Sequence, residues 1–570
     1  MRGIAASDGI GIGKALVVKK PVIEITMQSV ASIEAERLKL KEAVAATALQ
    51  LKNLEDVAKQ QIGENEAKVF EAHQMILGDP EWMGSIEQIL KDEQCNAAYA
   101  ADKATRAFIQ IFEGIDDAYI KERVADLRDV STRLLSNLLG IPLVDYSLIN
   151  EDTVLVGRDF EPSDTVGFTN PFIKGFITEI GSASSHSAII AKTMGLPAVI
   201  GVPDATQKIE SGAALVIDGG TGEVFNAPSG DKLNKLREKR HAQLEEAEKL
   251  KKLITAESMT KDGIAVEIAG NIANPKDAAR VMANGGDGVG LFRSEFLFMD
   301  RETAPTENEQ FDAYKTAAEI LKGQPLIIRT LDAGGDKHIP YLNIATEMNP
   351  FLGYRAIRIC LDREDLFQTQ LRAILRASHY GFIKIMFPMI ATFDELMAAK
   401  EAVEKAKETL RTLNQPFDEA IQVGIMVEVP SAAAIADILA LEADFMSIGT
   451  NDLTQYVMAA DRMNERLGAL NNTFHPAVLR MIHQTIKACK EAGKMVGMCG
   501  EAAGDKLLIP LLLGMGLEEF SMTPTKILKS REIIRNLDTR KLNSLVDEVM
   551  ALKTADAVKS HLETFSRRLS

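Results

Sequence analysis

Past residue 260, short apolar runs alternate with stretches of helical periodicity. The runs are AVEIAGNIA (265–273), GVGLFR (288–293), PLIIRTLD (325–332), FIKIMFPMI (382–390), QVGIMVEVP (422–430), DFMSIGTND (444–452), MVGMCGEAA (495–503) and EEFSMTP (518–524). Eight buried strands, each followed by a helical pattern, predict a (β/α)8 TIM-type barrel. From Ser32 to Leu139 the pattern changes to a 3.6-residue period, interrupted at Gly63, Asp79-Pro80, Gln94 to Asn96 and Gly114. That stretch predicts four or so packed helices. Between Thr153 and Asn226 the pattern is mixed: TVLVG, KGFITEIG, a short amphipathic helix opening at His186, PAVIGV, and the hairpin ALVID-GGTG-EVFN. The first twenty residues read as strand and turn and join this α/β unit, which makes the helical stretch an insertion. Residues 229–257 carry interleaved acidic and basic side chains on a thin apolar stripe and predict a solvated connecting helix.

The expected organisation is therefore multidomain α/β. An α/β domain of residues 1–20 and 145–228 carries a helical subdomain, 21–144; a helical linker, 229–259, leads to the barrel, 260–570.

Composition narrows the chemistry. With 46% hydrophobic and 26% charged residues the chain reads as an ordinary soluble globular protein, and a net charge of −16 argues against a nucleic-acid backbone as partner. An anionic substrate would need locally clustered arginines. Cys95, Cys360, Cys489 and Cys499 have neither paired spacing nor a secretory context, so no disulfide framework or zinc site is expected, and a reducing cytoplasm fits. No export signal and no membrane-spanning segment is read in the sequence.

The polar residues of the barrel half recur at the C-terminal ends of the expected strands, where such barrels place their active sites. They are Arg293, Arg329 with Asp332, Glu428, Asn451 with Asp452, and Cys499 with Glu501; Arg355 and Arg462 follow close behind the third and sixth strands. Four arginines facing two carboxylates suit a multiply charged anion held with a metal, and hard oxygen ligands suit Mg²⁺ or Mn²⁺ better than zinc. Taken singly, each arginine reads equally well as a surface ion pair; for Glu428 with Asp452 a structural pair is the alternative, with metal ligation the favoured reading. A thiol at a strand end is most often a small core residue, but cations around Cys499 would lower its pKa and favour proton transfer. In the first half, GSASSHSAII places His186 among Ser184, Ser185 and Ser187 at a helix start, a seat for a phosphorylated imidazole; alone it reads as a histidine in a polar loop.

At these residues the chain resembles the enzyme I family of the bacterial phosphoenolpyruvate:sugar phosphotransferase system over essentially its whole length. The segments that carry the resemblance are the one around His186, GVGLFRSEFLFMDR (288–301), TLDAGGDK (330–337), NPFLGYRAIR (349–358), IGTNDLTQY (448–456) and GMCGEAAGD (497–505). The resemblance implies a phosphoryl group passing from phosphoenolpyruvate to His186 Nε2 and on to a histidine of the phosphocarrier HPr, with release of pyruvate, as the first step of sugar uptake. It implies Thr165 as the residue orienting the imidazole. Arg293, Arg329, Arg462 and Asn451 become the substrate clamp, with Arg355 a further member. Glu428 and Asp452 become Mg²⁺ ligands, Asp452 also bordering the substrate, and Cys499 the acid that protonates the enolate carbon. A cytoplasmic homodimer joined through the barrel is likewise implied. The helical insertion becomes the HPr-docking surface, with Glu64, Glu66, Glu71 and His73 as an acidic, partly apolar face. Ser182, Ala183 and Ser184 depart from the family pattern before the histidine, and His475 departs within LGALNNTFHPAVLR (467–480), where it reads as a structural substitution. The rival enzyme is a dikinase such as pyruvate phosphate dikinase, which would need a nucleotide-grasping domain that no segment is left to form. A regulatory scaffold without catalysis would have lost the charged residues that are present here.

Overall fold

The computed structural model describes residues 1–18, 25–61, 64–113, 118–181, 185–299, 301–335, 337 and 339–569. Two compact units divide the chain, Met1–Glu245 and Glu246–Ser570.

The first unit is built on a seven-stranded sheet: β1 (Ile4–Ser7), β2 (Ile10–Val17), β3 (Thr153–Gly157), β4 (Ile173–Thr178), β5 (Ala198–Ile200), β6 (Ala214–Asp218) and β7 (Glu223–Asn226), in the order β1-β5-β4-β3-β2-β6-β7. The β2, β3, β4 and β5 pairs are parallel, while β6 and β7 form the antiparallel hairpin expected from the Gly-Gly turn. Helices α1 (Ile33–Gln61), α2 (Glu64–Leu77), α3 (Pro80–Glu93), α4 (Ala97–Glu113) and α5 (Ala118–Leu139) lie between β2 and β3 in the chain.

Five helices are found where the periodicity gave four or so, because every interruption in the pattern separates two of them. The Asp79-Pro80 break shows why. The Asp79 carboxylate accepts from the Glu81 and Trp82 N–H groups, Pro80 occupies the first helical turn, and Gln94 ends the helix with φ 45°. Trp82, Ile86 and Leu90 then fall on one buried face at four-residue spacing. Gly63 and Gly114 lie outside the described residues.

The second unit is the expected barrel. Strands β8 (Glu267–Ile272), β9 (Val289–Arg293), β10 (Leu326–Arg329), β11 (Ile383–Phe387), β12 (Gln422–Val427), β13 (Phe445–Ile448), β14 (Met495–Met498) and β15 (Glu519–Met522) are parallel, and β15 pairs with β8 to close the ring. Each strand falls inside one of the eight apolar runs. One set of strand side chains packs outward into the large core under the helices, among them Ile328, Ile385, Val427 and Ile448. The alternating set packs inward, with Leu291, Ile327, Met386, Met426, Phe445 and Cys499 in one interior cluster.

The charged connecting helix spans Gly230–Lys251, with Leu236 its buried residue. Beyond it, the chain is pinned to the barrel by Arg531. This buried guanidinium donates to the Leu253 and Ile254 carbonyls, to Ser258 and to Asp287.

Candidate active site at the barrel mouth

The C-terminal ends of the strands enclose a cavity of about 370 Å³ whose lining includes Arg293, Arg329, Lys337, Arg462, Glu428, Asp452, Asn451, Cys499 and Glu501. A larger cavity, about 690 Å³, lies in the first unit between the helical insertion and the sheet, but its mixed apolar and acidic walls offer a single cation, Arg133, among the described lining residues. The chemistry converges at the smaller one.

Asp332 is the hub of the mouth. It accepts from Lys337 Nζ at 2.6 Å, from Arg355 Nη2 at 3.0 Å and lies 3.2 Å from Arg329 Nη2. Burial alone would raise its pKa; the three surrounding cations outweigh that and hold it well below the usual carboxylate range. Glu295 is fully buried and receives Arg329 Nη2 and, at 2.8 Å, Lys337 Nζ; against its burial, these cations hold it ionised too. The Arg329 guanidinium is thereby fixed and kept charged, since its carboxylate neighbours overcome the desolvation that would otherwise weaken it. Ser294 Oγ donates to the Arg329 carbonyl at 2.6 Å and is held in turn by Gln370 at 3.0 Å, so the backbone under the arginine is fixed as well.

Glu428 and Asp452 are brought together from β12 and from the first turn of the helix Thr450–Met458. Glu428 Oε1 accepts the Met389 N–H at 2.7 Å, and Met389 has a φ of 60°. A side-chain-bearing residue in that region is uncommon, and here it aims a backbone donor at the carboxylate. Burial, then the charges of Asp452 and Asp332, push Glu428 up to about 8. Asp452 accepts from Arg355 Nη1 at 3.2 Å and from Arg462 Nη1 at 3.4 Å. Asn451 Oδ1 accepts the Glu501 N–H at 3.2 Å, tying the loops after β13 and β14. Among the described residues Arg293 has no ion-pair partner and lines the cavity as an open cation.

Arg355 is placed differently from the other arginines. It is fully buried, does not line the cavity, and spends its guanidinium on Asp332, Asp452 and, at 3.0 Å, the Tyr456 hydroxyl. It stands behind the mouth as a brace. The sequence-based expectation for Cys499 also needs correction: burial outweighs the Ser447 hydroxyl and the Arg329 charge and pushes the thiol up to about 11. A protonated thiol is an acid in waiting, which a thiolate is not. Lys337 and Glu295 were not singled out from sequence, although both lie in the quoted segments. Gly334 and Gly335, with φ of 95° and 68°, turn the chain back so that Lys337 reaches Asp332; that Gly-Gly turn was the available signal.

In the first unit, the helix His186–Met194 opens at His186 with Ser185 as its extended N-cap, and Ser187 is buried. Ser185 Oγ and Ser187 Oγ lie 3.3 Å apart. Ser182, Ala183 and Ser184 lie outside the described residues. Thr165 is buried on the helix Pro162–Val166 and donates its hydroxyl to the Pro162 carbonyl at 2.7 Å. In the helical insertion His73 is not part of an exposed face as expected: it is buried, 3.1 Å from Asp126 and edge-on to Phe70. Helix α2 turns that side toward α5. Glu71 is exposed and pairs with Lys59; the side chains of Glu64 and Glu66 lie outside the described set. His475 caps the helix Pro476–Glu491, its Nδ1 accepting from Ala477 N–H at 3.2 Å, a structural role.

Three family models cover the chain in succession. "PEP-utilising enzyme, N-terminal" matches residues 2–123, "PEP-utilising enzyme, mobile domain" residues 149–222, and "PEP-utilising enzyme, PEP-binding domain" residues 247–539. The barrel mouth and the family models together define a phosphoenolpyruvate-utilising enzyme. The phosphoenolpyruvate-protein phosphotransferase of Staphylococcus carnosus is 46% identical over 567 residues, covering 100% of this chain and 99% of that protein. That of Priestia megaterium is 46% identical over 98% of this chain and 97% of its own, and that of Bacillus subtilis 45% over 99% of each. The chain belongs to the phosphoenolpyruvate-protein phosphotransferases, the enzyme I family, and is a transferase. Among the described residues no helix is long and apolar enough to cross a membrane.

Proposed function

We propose that the chain transfers the phosphoryl group of phosphoenolpyruvate to His186 and then to a histidine of the phosphocarrier HPr, releasing pyruvate, in the cytoplasm. The observation that carries this reading is the mouth itself. Arg293, Arg329, Lys337 and Arg462 face Glu428, Asp452 and a protonated Cys499 in one cavity. Arg329, held by Glu295 and Asp332, cannot fold away when its anionic ligand leaves. It and Arg293 are placed to bind phosphate and carboxylate, with Arg462 and Asn451 beside them.

An imidazole nitrogen of His186 attacks phosphorus in line with the bridging oxygen, and the P–O bond to the enolate breaks. The enolate takes the Cys499 proton at carbon and becomes pyruvate. His186 and the donor site belong to different units, so transfer requires the two to meet and then part, with the segment around Gly222 and the helix to about residue 257 as hinges. We assign residues 1–20 and 145–228 as the phosphohistidine domain, 21–144 as the HPr-docking insertion, 229–259 as the linker and 260–570 as the donor and dimerisation domain. Thr165 is assigned as the residue that orients the imidazole when His186 is phosphorylated.

Among the described residues no group of three or more His, Cys, Asp or Glu is arranged to hold a metal ion. A dication that keeps several waters and takes substrate oxygens needs only two protein carboxylates, and Glu428 with Asp452 fits Mg²⁺ in that way, Mn²⁺ being the alternative. Bound there, it would neutralise charge on the transferring group.

The test is incubation with labelled phosphoenolpyruvate and Mg²⁺. Acid-labile, base-stable label should appear on His186, disappear in His186→Ala, and pass to added HPr. Full labelling of His186→Ala would overturn the assignment.

A further inference from the structure

Beneath Cys499 the barrel interior holds a polar column that the phosphoryl-transfer chemistry does not use. Glu519 opens β15 and is fully buried, in register with Gly497 on one side and Glu267 on the other. Its room is made by two missing side chains. A Cβ at Gly290 would lie 2.1 Å from Glu519 Oε1, and one at Gly497 would lie 3.3 Å from it. The pairing of β9 with both neighbours slips at this point, with one extra residue in β9 around Gly290. Glu519 Oε1 and the Ser447 hydroxyl, beside Gly497 in register, are both buried without a hydrogen bond of ordinary geometry among the described residues, and Ser447 is the polar neighbour that lowers the Cys499 thiol against its burial. Two such atoms in one interior are costly unless they serve something.

At the far end of the strands a second cavity, about 590 Å³, reaches Glu267 and Met495. Glu267 is exposed there, one strand away from the buried Glu519. A carboxyl open to water, a carboxyl sealed in the barrel, a buried hydroxyl and the thiol thus lead from floor to mouth.

We propose that the barrel interior is a proton path from the floor cavity to the active site, in which Glu519, through Ser447, returns a proton to Cys499 after each turnover. Glu519 is thus a positioning residue acting through the thiol, and the inference rests on Cys499 being the acid of the proposed reaction. The step balances. Cys499 gives its proton to the enolate carbon; the thiolate takes the Ser447 hydroxyl proton as Ser447 takes that of the Glu519 carboxyl; the Glu519 carboxylate takes one from water by way of Glu267. The charged and titratable groups facing Glu519 are Glu267 from β8, Lys384 from β11 and Cys499 after β14, while β9 contributes only Gly290. Burial, then the Glu267 charge, push Glu519 up to about 8 against the opposing pull of Lys384, so it holds its proton at neutral pH. The thiolate of Cys499, whose acid is pushed up to about 11, is the stronger base, and the proton runs toward the mouth.

The test uses the full-length chain with Mg²⁺, phosphoenolpyruvate and pyruvate in D2O. Two exchanges are followed: carbon label between pyruvate and phosphoenolpyruvate, and deuterium entering C3. A thiol cut off from solvent passes the same proton back and forth, so carbon exchanges while deuterium does not. Glu519→Gln should lower the deuterium-to-carbon ratio on the order of tenfold and remove the inflection near pH 8 from its pH profile. Ser447→Ala should lower the ratio as well and carries the test if Glu519→Gln does not fold by circular dichroism. Cys499→Ala should depress both exchanges. If it leaves both unchanged, the role of the thiol fails and the path with it. If it depresses both while a folded Glu519→Gln or Ser447→Ala keeps the wild-type ratio, the path is overturned and the role of the thiol stands.

Discussion

Replacing Arg355 with methionine removes a buried cation that touches no substrate, so it measures what the brace behind the mouth contributes. The guanidinium reaches Asp332 at 3.0 Å, Asp452 at 3.2 Å and the Tyr456 hydroxyl at 3.0 Å. After the change Asp332 keeps Lys337 at 2.6 Å and Arg329 at 3.2 Å, whereas Asp452 keeps Arg462 at 3.4 Å. Removing one member of a buried pair costs about 3–5 kcal/mol because the other charge is left uncompensated. Asp332 retains two cations, so the loss belongs near the lower end, about 3 kcal/mol. In a unit of this size that is a fall of roughly 6 °C in the barrel transition, followed by scanning calorimetry of the full chain. Arg355→Lys should recover only part, since one ammonium cannot bridge two carboxylates as a planar guanidinium does. A shift below about 2 °C in Arg355→Met would mean that the two aspartates find other compensation, and the brace would be refuted.

Three further outcomes follow from the same geometry. Glu519 holds its proton up to about 8 when folded and releases it near 4.5 when unfolded, so the folded state binds more protons between those values. Its share of stability is full below pH 4.5 and is lost as pH rises toward 8. Roughly 5 kcal/mol is the upper bound, and wild type and Glu519→Gln should diverge across that window in denaturant titrations. Parallel curves would contradict the burial argument. His475→Ala removes a helix cap and should cost about 1 kcal/mol, with His475→Asn restoring most of it; an unchanged melting curve would return His475 to the surface. A fragment ending near Glu245 should exchange phosphoryl groups with HPr but stay inert to phosphoenolpyruvate, whereas the fragment from Glu246, which keeps the Leu253, Ile254 and Ser258 partners of Arg531, should bind phosphoenolpyruvate with Mg²⁺ and remain unlabelled. Direct labelling of the first fragment by phosphoenolpyruvate would refute the division of labour.

The barrel was legible because a buried parallel strand must be apolar on both faces and ends where polar residues begin. Runs such as QVGIMVEVP therefore mark both the strand and Glu428 at its end. The mouth residues were legible for the same reason. What the residues do to one another was not. The direction of the Cys499 shift depends on whether burial or neighbouring cations dominate, and only the closed barrel decides that. Arg355 and Arg329 look alike in a sequence; their difference is that one finds two aspartates behind the wall while the other borders the cavity. His73 sits at helical spacing with Phe70, Leu77 and the exposed Glu71, and the packing of α2 on α5, unseen in the pattern, buries it against Asp126. Glu519, inside an apolar run, is explained only by the absent side chains of Gly290 and Gly497, far from it in sequence.

The acidity of the whole chain, net −16, makes the charge balance of the mouth its most constrained feature. The described residues there include the cations Arg293, Arg329, Lys337, Arg355 and Arg462 and the carboxyls Glu295, Asp332, Glu428, Asp452 and Glu501. Glu295 and Asp332 are ionised and consumed in fixing Arg329, Lys337 and Arg355. They set geometry and leave the mouth little net charge. Glu428 is different: burial and its like-charged neighbours push it up to about 8, so without a cation it is mostly protonated at neutral pH. On the proposed reading, Glu428 and Asp452 would hold a dication, whose charge would favour the Glu428 carboxylate over its protonated form. The mouth would then gain about one positive charge overall, which favours the multiply charged phosphoenolpyruvate. Metal and substrate therefore reinforce each other, while the metal-free mouth holds a multiply charged anion less strongly. Acid favours the protonated form of Glu428 and should weaken the metal; alkali should strengthen metal binding up to about pH 8, after which Glu428 has no proton left to displace.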